Sequence, residues 1–160
     1  RASYSEIAEN VYIVTNIVKS YETPKGNAHL FSAKQDTLIR DSFNHELIMV
    51  IREPDGLVIF TGCAHNGIAN IIETVTKQFN SEFIKGLIGG FHLTRVPSIM
   101  SLFELSDDND DIDLIIKKVI DNNIKKIYTG HCTGRKAYRQ LKNRLGYSLN
   151  HLETGLTIII

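Results

Sequence analysis

LVIFTGCAHNGIANIIETVTKQFN, residues 57 to 80, predicts a strand, a sharp turn and a helix in succession. Its first four residues form a short apolar run, which is typical of a buried strand. From Gly67 onward the apolar residues adopt the i, i+3, i+4, i+7, i+11 spacing of an amphipathic helix, at Ile68, Ile71, Ile72, Val75 and Phe79. The stretch therefore predicts a strand that leads into a helix from about Gly67 to Asn80.

The same alternation continues to the end of the chain. IKGLIG at residues 84 to 89 predicts a strand, and KKIYTG at residues 125 to 130 predicts another. A second helix is predicted around residues 112 to 120, where the acidic run at residues 106 to 111 suits its positive N-terminal end. Residues 135 to 145 predict a third helix, and LTIII at residues 156 to 160 predicts a closing strand. This βαβαβαβ order indicates an α/β architecture with helices packed on a sheet.

The first third of the chain predicts strands joined by turns. Residues 10 to 19, NVYIVTNIVK, are rich in β-branched and aromatic residues and predict a strand, which the turn-forming segment SYETPKGNAH follows. HELIMVIR and LVIFT flank the tetrapeptide EPDG, so residues 45 to 61 predict a hairpin. Both arms are almost continuously apolar, which indicates burial on both faces of the sheet.

Composition excludes several classes of protein. The 160 residues carry 18 Lys and Arg against 18 Asp and Glu, so no net charge favours nucleic acid or an anionic membrane. The longest apolar runs fall far short of the roughly 20 residues that a membrane-spanning helix needs. Two cysteines are too few for a disulfide framework, and a reducing, cytoplasmic location is the expectation.

A histidine follows three of the predicted strands, each time beyond a glycine. The segments are TGCAH, GGFH and TGH, which end at His65, His92 and His131. Because loops at the carboxyl ends of strands in an open α/β sheet form the ligand crevice, we expect these three imidazoles at one edge. Three neutral imidazoles with one open coordination position are typical of a catalytic metal site.

Simpler structural interpretations stand beside this one. A single histidine near the end of a strand is more often an ordinary loop residue, and only the shared context of three favours a metal site. Cys63 and Cys132 could be soft ligands, although buried thiols are the favoured interpretation. His29 and His151 lie outside the pattern, and His45 is undecided with a structural role preferred.

Two loops run directly into predicted helices and could contact an anionic substrate group. Backbone N–H groups and the dipole at a helix N-terminus favour anions, which makes Asn66, Thr133 and Arg135 candidate substrate contacts. Asn66 and Thr133 could equally be helix caps, and Arg135 a solvated surface charge. Neither loop matches a Walker A or GxGxxG motif, so nucleotide binding by those routes is not predicted.

The chain resembles the later half of proteins of the metallo-β-lactamase superfamily, in particular the branch related to archaeal dihydropterin ribofuranosylaminobenzene phosphate synthases of methanopterin biosynthesis. The resemblance rests on three segments taken together: HELIMVIREPDGLVIFTGCAHNGIANII, LIGGFHL and IYTGHCTG. The resemblance implies part of an αββα sandwich, with a mixed β-sheet flanked by helices. It also implies divalent metal ions, two zinc ions in the usual case and iron or manganese in others. His131 matches the last ligand histidine of the superfamily, while His65 and His92 fall in its other two later motifs.

One motif of the superfamily is missing from the sequence. HxHxDH, which supplies most ligands of the first metal ion, occurs nowhere in the 160 residues, and Cys63 stands where FTGD is common. We therefore expect residues 1 to 160 to form a single C-terminal portion of the fold, without the N-terminal half that carries HxHxDH. Such a portion would expose an apolar face, so association with the other half or with a second copy is expected.

The resemblance implies a metal-dependent hydrolase-type enzyme, in which metal-activated water attacks a small phosphorylated or pterin-like substrate. An alternative is a non-catalytic fragment or binding module that keeps the scaffold without a complete metal site. A third possibility is a redox protein that uses Cys63 and Cys132, which requires the two sulfurs to lie within bonding reach. A small molecule is the expected partner, and neither nucleic acid nor a membrane is expected.

Overall fold

A seven-stranded mixed sheet dominates the computed structural model, which describes residues 4–94 and 109–160. Its strands are β1 (Tyr4–Ala8), β2 (Val11–Val14), β5 (Ile48–Glu53), β6 (Gly56–Phe60), β7 (Ile84–Ile88), β8 (Lys126–Thr129) and β9 (Leu149–His151). Two further strands, β3 (Phe31–Lys34) and β4 (Thr37–Arg40), form a separate antiparallel pair. The helices are α1 (Ile68–Gln78), α2 (Asn109–Asp121) and α3 (Arg135–Leu145), and a 3₁₀ helix spans Lys25–His29.

The strand order in the sheet is β1-β2-β5-β6-β7-β8-β9. Neighbours from β1 to β6 pair antiparallel, and those from β6 to β9 pair parallel. A helix connects each successive pair of parallel strands, which confirms the βαβαβαβ order predicted from residue 57 onward. The expected mixed α/β sheet flanked by helices is therefore present, and β6, β7 and β8 are neighbours whose carboxyl ends share one edge.

The predicted hairpin consists of β5 and β6, joined by Pro54 and Asp55. Gly56 at the turn has a φ of +146°, and a Cβ there would lie 2.7 Å from the carbonyl oxygen of Phe83, so only glycine fits without strain. In this register Val50 pairs with Ile59, and both side chains are fully buried. The apolar arms thus place β5 and β6 in the middle of the sheet.

One hydrophobic cluster joins the sheet to all three helices. The predicted face of α1 is buried. Four of the five apolar residues predicted for α2 pack on the same cluster, Ile112, Ile115, Ile116 and Val119, whereas Ile120 is 63% exposed. Asp110 and Asp111 lie in the first turn of α2, where the helix dipole favours carboxylates. The periodicity of the apolar residues therefore predicted both helices and the faces they bury.

Several predicted elements differ from the observed ones. LTIII is not a strand; the closing strand is β9, which pairs parallel with β8 through Leu149 and buries that leucine completely. Ile160 instead packs on Gly86 of β7, its methyl carbon 3.2 Å from the position a Cβ would take. An apolar tail can therefore cover a sheet without pairing at its edge. The prediction over residues 10 to 19 shortens to β2, and β1, β3 and β4 were not predicted.

The alternative interpretation of Asn66 and Thr133 as helix caps does not hold. Gly67 and Gly134 cap α1 and α3, with φ of 88° and 75° and no side-chain hydrogen bond to the helix end. Pro97 and residues 106 to 108 of the acidic run lie outside the described residues. No helix in the described part of the chain is long and apolar enough to cross a membrane.

Candidate metal and substrate site

The three histidine-bearing loops lie side by side because β6, β7 and β8 are adjacent parallel strands. Backbone hydrogen bonds connect the first two loops, where Gly90 N–H donates to the Gly62 carbonyl at 2.8 Å. The second and third loops are joined where Thr94 N–H donates to the Cys132 carbonyl at 3.0 Å. A Cβ on Gly90 would lie 2.5 Å from Cys132 Sγ, so this glycine permits the close approach.

Each loop contains a non-glycine residue in the left-handed region of the backbone. Ala64, His92 and His131 have φ of 57°, 45° and 48°. This conformation costs a residue with a Cβ of order 1–3 kcal/mol and persists only where surrounding contacts enforce it. Strain of this kind is concentrated at functional sites, and here it recurs in all three loops.

His65 is held in a defined orientation by Asn27 of the 3₁₀ helix. Asn27 Nδ2 donates to the His65 carbonyl at 2.7 Å, which fixes the orientation of the amide and turns Oδ1 toward His65 Nδ1 at 3.1 Å. Since Oδ1 can only accept, Nδ1 carries the proton in the neutral ring, and the lone pair lies on Nε2. Burial lowers the pKa of His65, which favours this neutral form.

Glu46 fixes the backbone of the same loop. One carboxylate oxygen accepts from His65 N–H at 2.6 Å, and the other accepts from Asn66 N–H at 2.8 Å and Asn66 Nδ2 at 2.7 Å. The ring of Phe43 stacks on His65 with centroids 4.2 Å apart and an interplanar angle of 6°. The ring and the backbone of His65 are therefore both held by residues from the preceding part of the chain.

His92 lies against His65, with ring centroids 4.1 Å apart. Both of its ring nitrogens are buried, and neither makes a hydrogen bond of good geometry among the described residues, although the backbone of Gly26 lies close enough to the ring to favour its protonated form. Burial, together with the neighbouring His65, lowers the pKa of His92. A buried, unpartnered nitrogen costs about 1–3 kcal/mol, so this ring gains free energy from any ligand that its lone pair can bind.

His131 occupies a different position on the same edge. It is exposed and lines a cavity of about 550 Å³ between the end of β8 and α3. The structure thus brings His65 and His92 together and places His131 on the adjoining loop. In the described ranges, no group of three or more His, Cys, Asp or Glu side chains is arranged to hold a metal ion.

The donor set nevertheless fits a divalent metal in its chemistry. His65 presents an Nε2 lone pair, and His92 has two buried nitrogens without a hydrogen bond of good geometry among the described residues. Neutral imidazole nitrogens are the commonest protein ligands for zinc and also suit iron. His65 and His92 would therefore hold part of a metal centre, and the ligand roles of all three histidines stay predictions.

The candidate substrate residues differ in what they can reach. Asn66 is 2% exposed, and its amide donates to Glu46 and to the Phe43 carbonyl. Thr133 is buried beneath the cavity that it helps to line, with its hydroxyl 2.5 Å from that of Thr129. Arg135 is exposed and lines the same cavity.

The two cysteines lie close together beneath the loops. Cys132 Sγ is 3.7 Å from the Cys63 carbonyl oxygen, and both thiols are free. Burial raises the pKa of Cys132 to about 11, so this thiol is protonated at neutral pH. Of the remaining histidines, His29 is exposed, and His45 is exposed with Nδ1 3.8 Å from Asp41.

Sequence reasoning missed Asn27 and Glu46. They lie 38 and 19 residues before His65, in a turn segment and at the start of the predicted hairpin. The turn signal PKGN marks a bend but does not indicate which loop the bend will contact. No local spacing could therefore have identified either residue.

Comparison with known proteins identifies relatives of this fold. The fold is similar to the crystal structure of a metal-dependent hydrolase of the β-lactamase superfamily, with a TM-score of 0.82 and 29% identity over 99% of this chain and 56% of that one. No family model matches the chain. The sequence motifs and the fold agree, and the classification of this chain in the metallo-β-lactamase superfamily is confirmed.

A curated relative indicates the branch within that superfamily. The chain is 30% identical over 129 residues to the 7,8-dihydropterin-6-methyl-4-(β-D-ribofuranosyl)-aminobenzene-5′-phosphate synthase of Methanocaldococcus jannaschii, which covers 81% of this chain and 40% of that protein. It is 28% identical over 122 residues to an uncharacterised protein of the same organism, over 74% of this chain and 39% of the other. The chain thus spans about two fifths of the length of these relatives.

Proposed function

We propose that this chain belongs to a metal-dependent, hydrolase-type enzyme that acts on a small phosphorylated or pterin-like substrate. The observation that carries the proposal is the His65–His92 pair. Asn27 holds the proton of neutral His65 on Nδ1 and so leaves the lone pair on Nε2, and the buried ring nitrogens of His92 lack a hydrogen bond of good geometry. The structural relative is a metal-dependent hydrolase, which supports the reaction class, and the curated relative is a dihydropterin ribofuranosylaminobenzene phosphate synthase, which supports the substrate class.

In this proposal, His65, His92 and His131 are ligands of a divalent metal centre, with two zinc ions as the expected content and iron or manganese as alternatives. When bound, such a metal supplies a nucleophile at neutral pH by lowering the pKa of a water ligand to about 7. Asn27 and Glu46 hold His65 in the orientation that binding needs.

The substrate residues divide by exposure. Arg135 reaches the cavity beside His131 and contacts the anionic part of the substrate. Asn66 and Thr133 act from beneath, because both side chains are buried and hydrogen-bonded, Asn66 to Glu46 and the Phe43 carbonyl and Thr133 to Thr129.

The test uses the native protein that contains these 160 residues. His131→Ala should abolish metal uptake, measured by elemental analysis, and hydrolysis of a chromogenic phosphodiester such as bis-p-nitrophenyl phosphate. His29→Ala is the matched control, because His29 is an exposed histidine at the end of the 3₁₀ helix. A His131→Ala protein with unchanged metal content and turnover would overturn the assignment.

The alternative, a binding module without a complete metal centre, is favoured by one observation. Within the described ranges, no three candidate ligands are grouped. Elemental analysis of this chain alone and of the full-length protein separates the two proposals. Metal in neither preparation supports the binding module, whereas metal in the longer protein supports the enzyme.

A further inference from the structure

A cavity of about 550 Å³ lies beside the candidate metal site, between the end of β8 and the first turns of α3. It is large enough for a small metabolite, since ligand pockets in proteins commonly enclose about 300–1,000 Å³. His131 lines it, as do two arginines of α3, Arg135 and Arg139. No Asp or Glu is among the described residues that line it.

The two arginines are four residues apart, which places them on the same face of α3, one turn from each other. Within the part of the chain that the structure describes, no ion pair is made by either side chain. Arg52 and Arg144 behave differently, because they pair with Glu82 and Asp113. Arg135 and Arg139 thus present two unneutralised charges at one cavity.

This arrangement is unfavourable in the absence of an anion. Arg135 is the first residue of α3, where the positive end of the helix dipole disfavours a cation. Like charges four residues apart on a helix also repel each other. The first turn of α3 contains no acidic residue to offset either effect, whereas that of α2 contains Asp110 and Asp111.

We propose that this cavity binds the phosphate group of a phosphomonoester, with Arg135 and Arg139 as its two cationic contacts. Two guanidinium groups balance the charge of a phosphate dianion and offer paired N–H donors that fit its oxygens. The cavity volume leaves room for the organic part of the molecule beside His131. This phosphate site rests on the proposed function in one respect: the phosphomonoester that it binds is the substrate of the enzyme.

The test measures the binding of inorganic phosphate and of methyl phosphate by calorimetry, at a fixed ionic strength of about 0.1 M to keep screening constant. Arg139→Gln and Arg135→Gln should each weaken the binding of both anions at least tenfold. Lys136→Gln is the matched control, because Lys136 is an exposed cation on the same turn of α3 that does not line the cavity. It should change either affinity less than twofold.

Three results with the untreated protein and its arginine and lysine variants would overturn the proposal. One is an equal loss in the Lys136→Gln and Arg139→Gln proteins, which would indicate a general effect of net charge. Another is the absence of saturable phosphate binding to the unaltered protein. The third is that inorganic phosphate binds but methyl phosphate does not, which would exclude a phosphomonoester as the ligand.

Binding should survive in chelator-treated protein. That result would support the cavity even if the metal-dependent activity were disproved, so the two proposals fail separately. Loss of phosphate binding on removal of metal would mean that the metal holds the anion, which would overturn the role of the arginine pair.

Discussion

Glu46 provides a sharp test of how the His65 loop is held. Its carboxylate accepts three hydrogen bonds, from the backbone N–H groups of His65 and Asn66 and from the side-chain amide of Asn66. Glu46→Gln keeps the size of the side chain but exchanges one accepting oxygen for an NH₂ group. Because both oxygens accept from N–H donors, either orientation of the new amide places a donor against a donor.

The expected cost follows from these contacts. A hydrogen bond to a charged group contributes about 1.5–3 kcal/mol and a neutral one about 1 kcal/mol, so losing one bond and weakening the others should cost about 3 kcal/mol after allowance for partial exposure. For a chain of this size, about 2–4 °C of melting temperature corresponds to each kcal/mol. Glu46→Gln should therefore lower the melting temperature by roughly 6–12 °C.

Thermal unfolding followed by circular dichroism measures this change. Glu53→Gln is the matched control, because Glu53 is an exposed glutamate at the end of β5 and should move the midpoint by less than about 1 °C, as surface substitutions usually do. Equal midpoints for Glu46→Gln and Glu53→Gln would refute the assignment of Glu46 as the residue that holds the loop.

Two further predictions concern the His65–His92 pair. A Cβ on Gly26 would lie 3.0 Å from His92 Nε2, so Gly26→Ala should displace the ring, lower stability by about 1–2 kcal/mol and shift the His92 NMR signals. Gly62→Ala is the control, because a Cβ on Gly62 meets open space and should change neither stability nor these signals. The same shift of the His92 signals in both variants would contradict this packing. Burial lowers the pKa of His65 and His92, so below the ordinary value near 6.5 the unfolded chain binds more protons and stability falls as the pH drops. Urea unfolding at pH 7.5 and 5.5 should show a lower free energy of unfolding at the lower pH. If the His92→Gln protein lost as much free energy of unfolding between these pH values as the unaltered protein, His92 would make no contribution.

The sequence predicted the parts of the fold that depend on local pattern. The spacing of Ile68, Ile71, Ile72, Val75 and Phe79 defined α1 to within two residues of its observed ends, because helix periodicity and burial agree there. The loops of His65, His92 and His131 were expected at one edge, and adjacent parallel strands place them there.

The sequence did not predict the last strand of the sheet or the β3–β4 pair, because both depend on which segments pair with each other in the folded chain. LTIII is much more apolar than residues 149 to 151, which read LNH, yet the last strand is the second of these because Leu149 pairs in parallel with Ile127. Residues 31 to 40 alternate too weakly to indicate a strand pair, and β3 and β4 leave Phe31 and Leu38 more than half exposed.

The candidate site depends both on local sequence pattern and on contacts between residues far apart in the chain. The strands and their following loops deliver the histidines, which is why sequence spacing could find His65 and His92. Their chemical state depends instead on distant residues: Asn27 selects the His65 nitrogen that keeps its lone pair, and Glu46 holds the loop backbone. Because these contacts span 38 and 19 residues, the sequence locates the candidate ligands, whereas tertiary structure determines how each can bind.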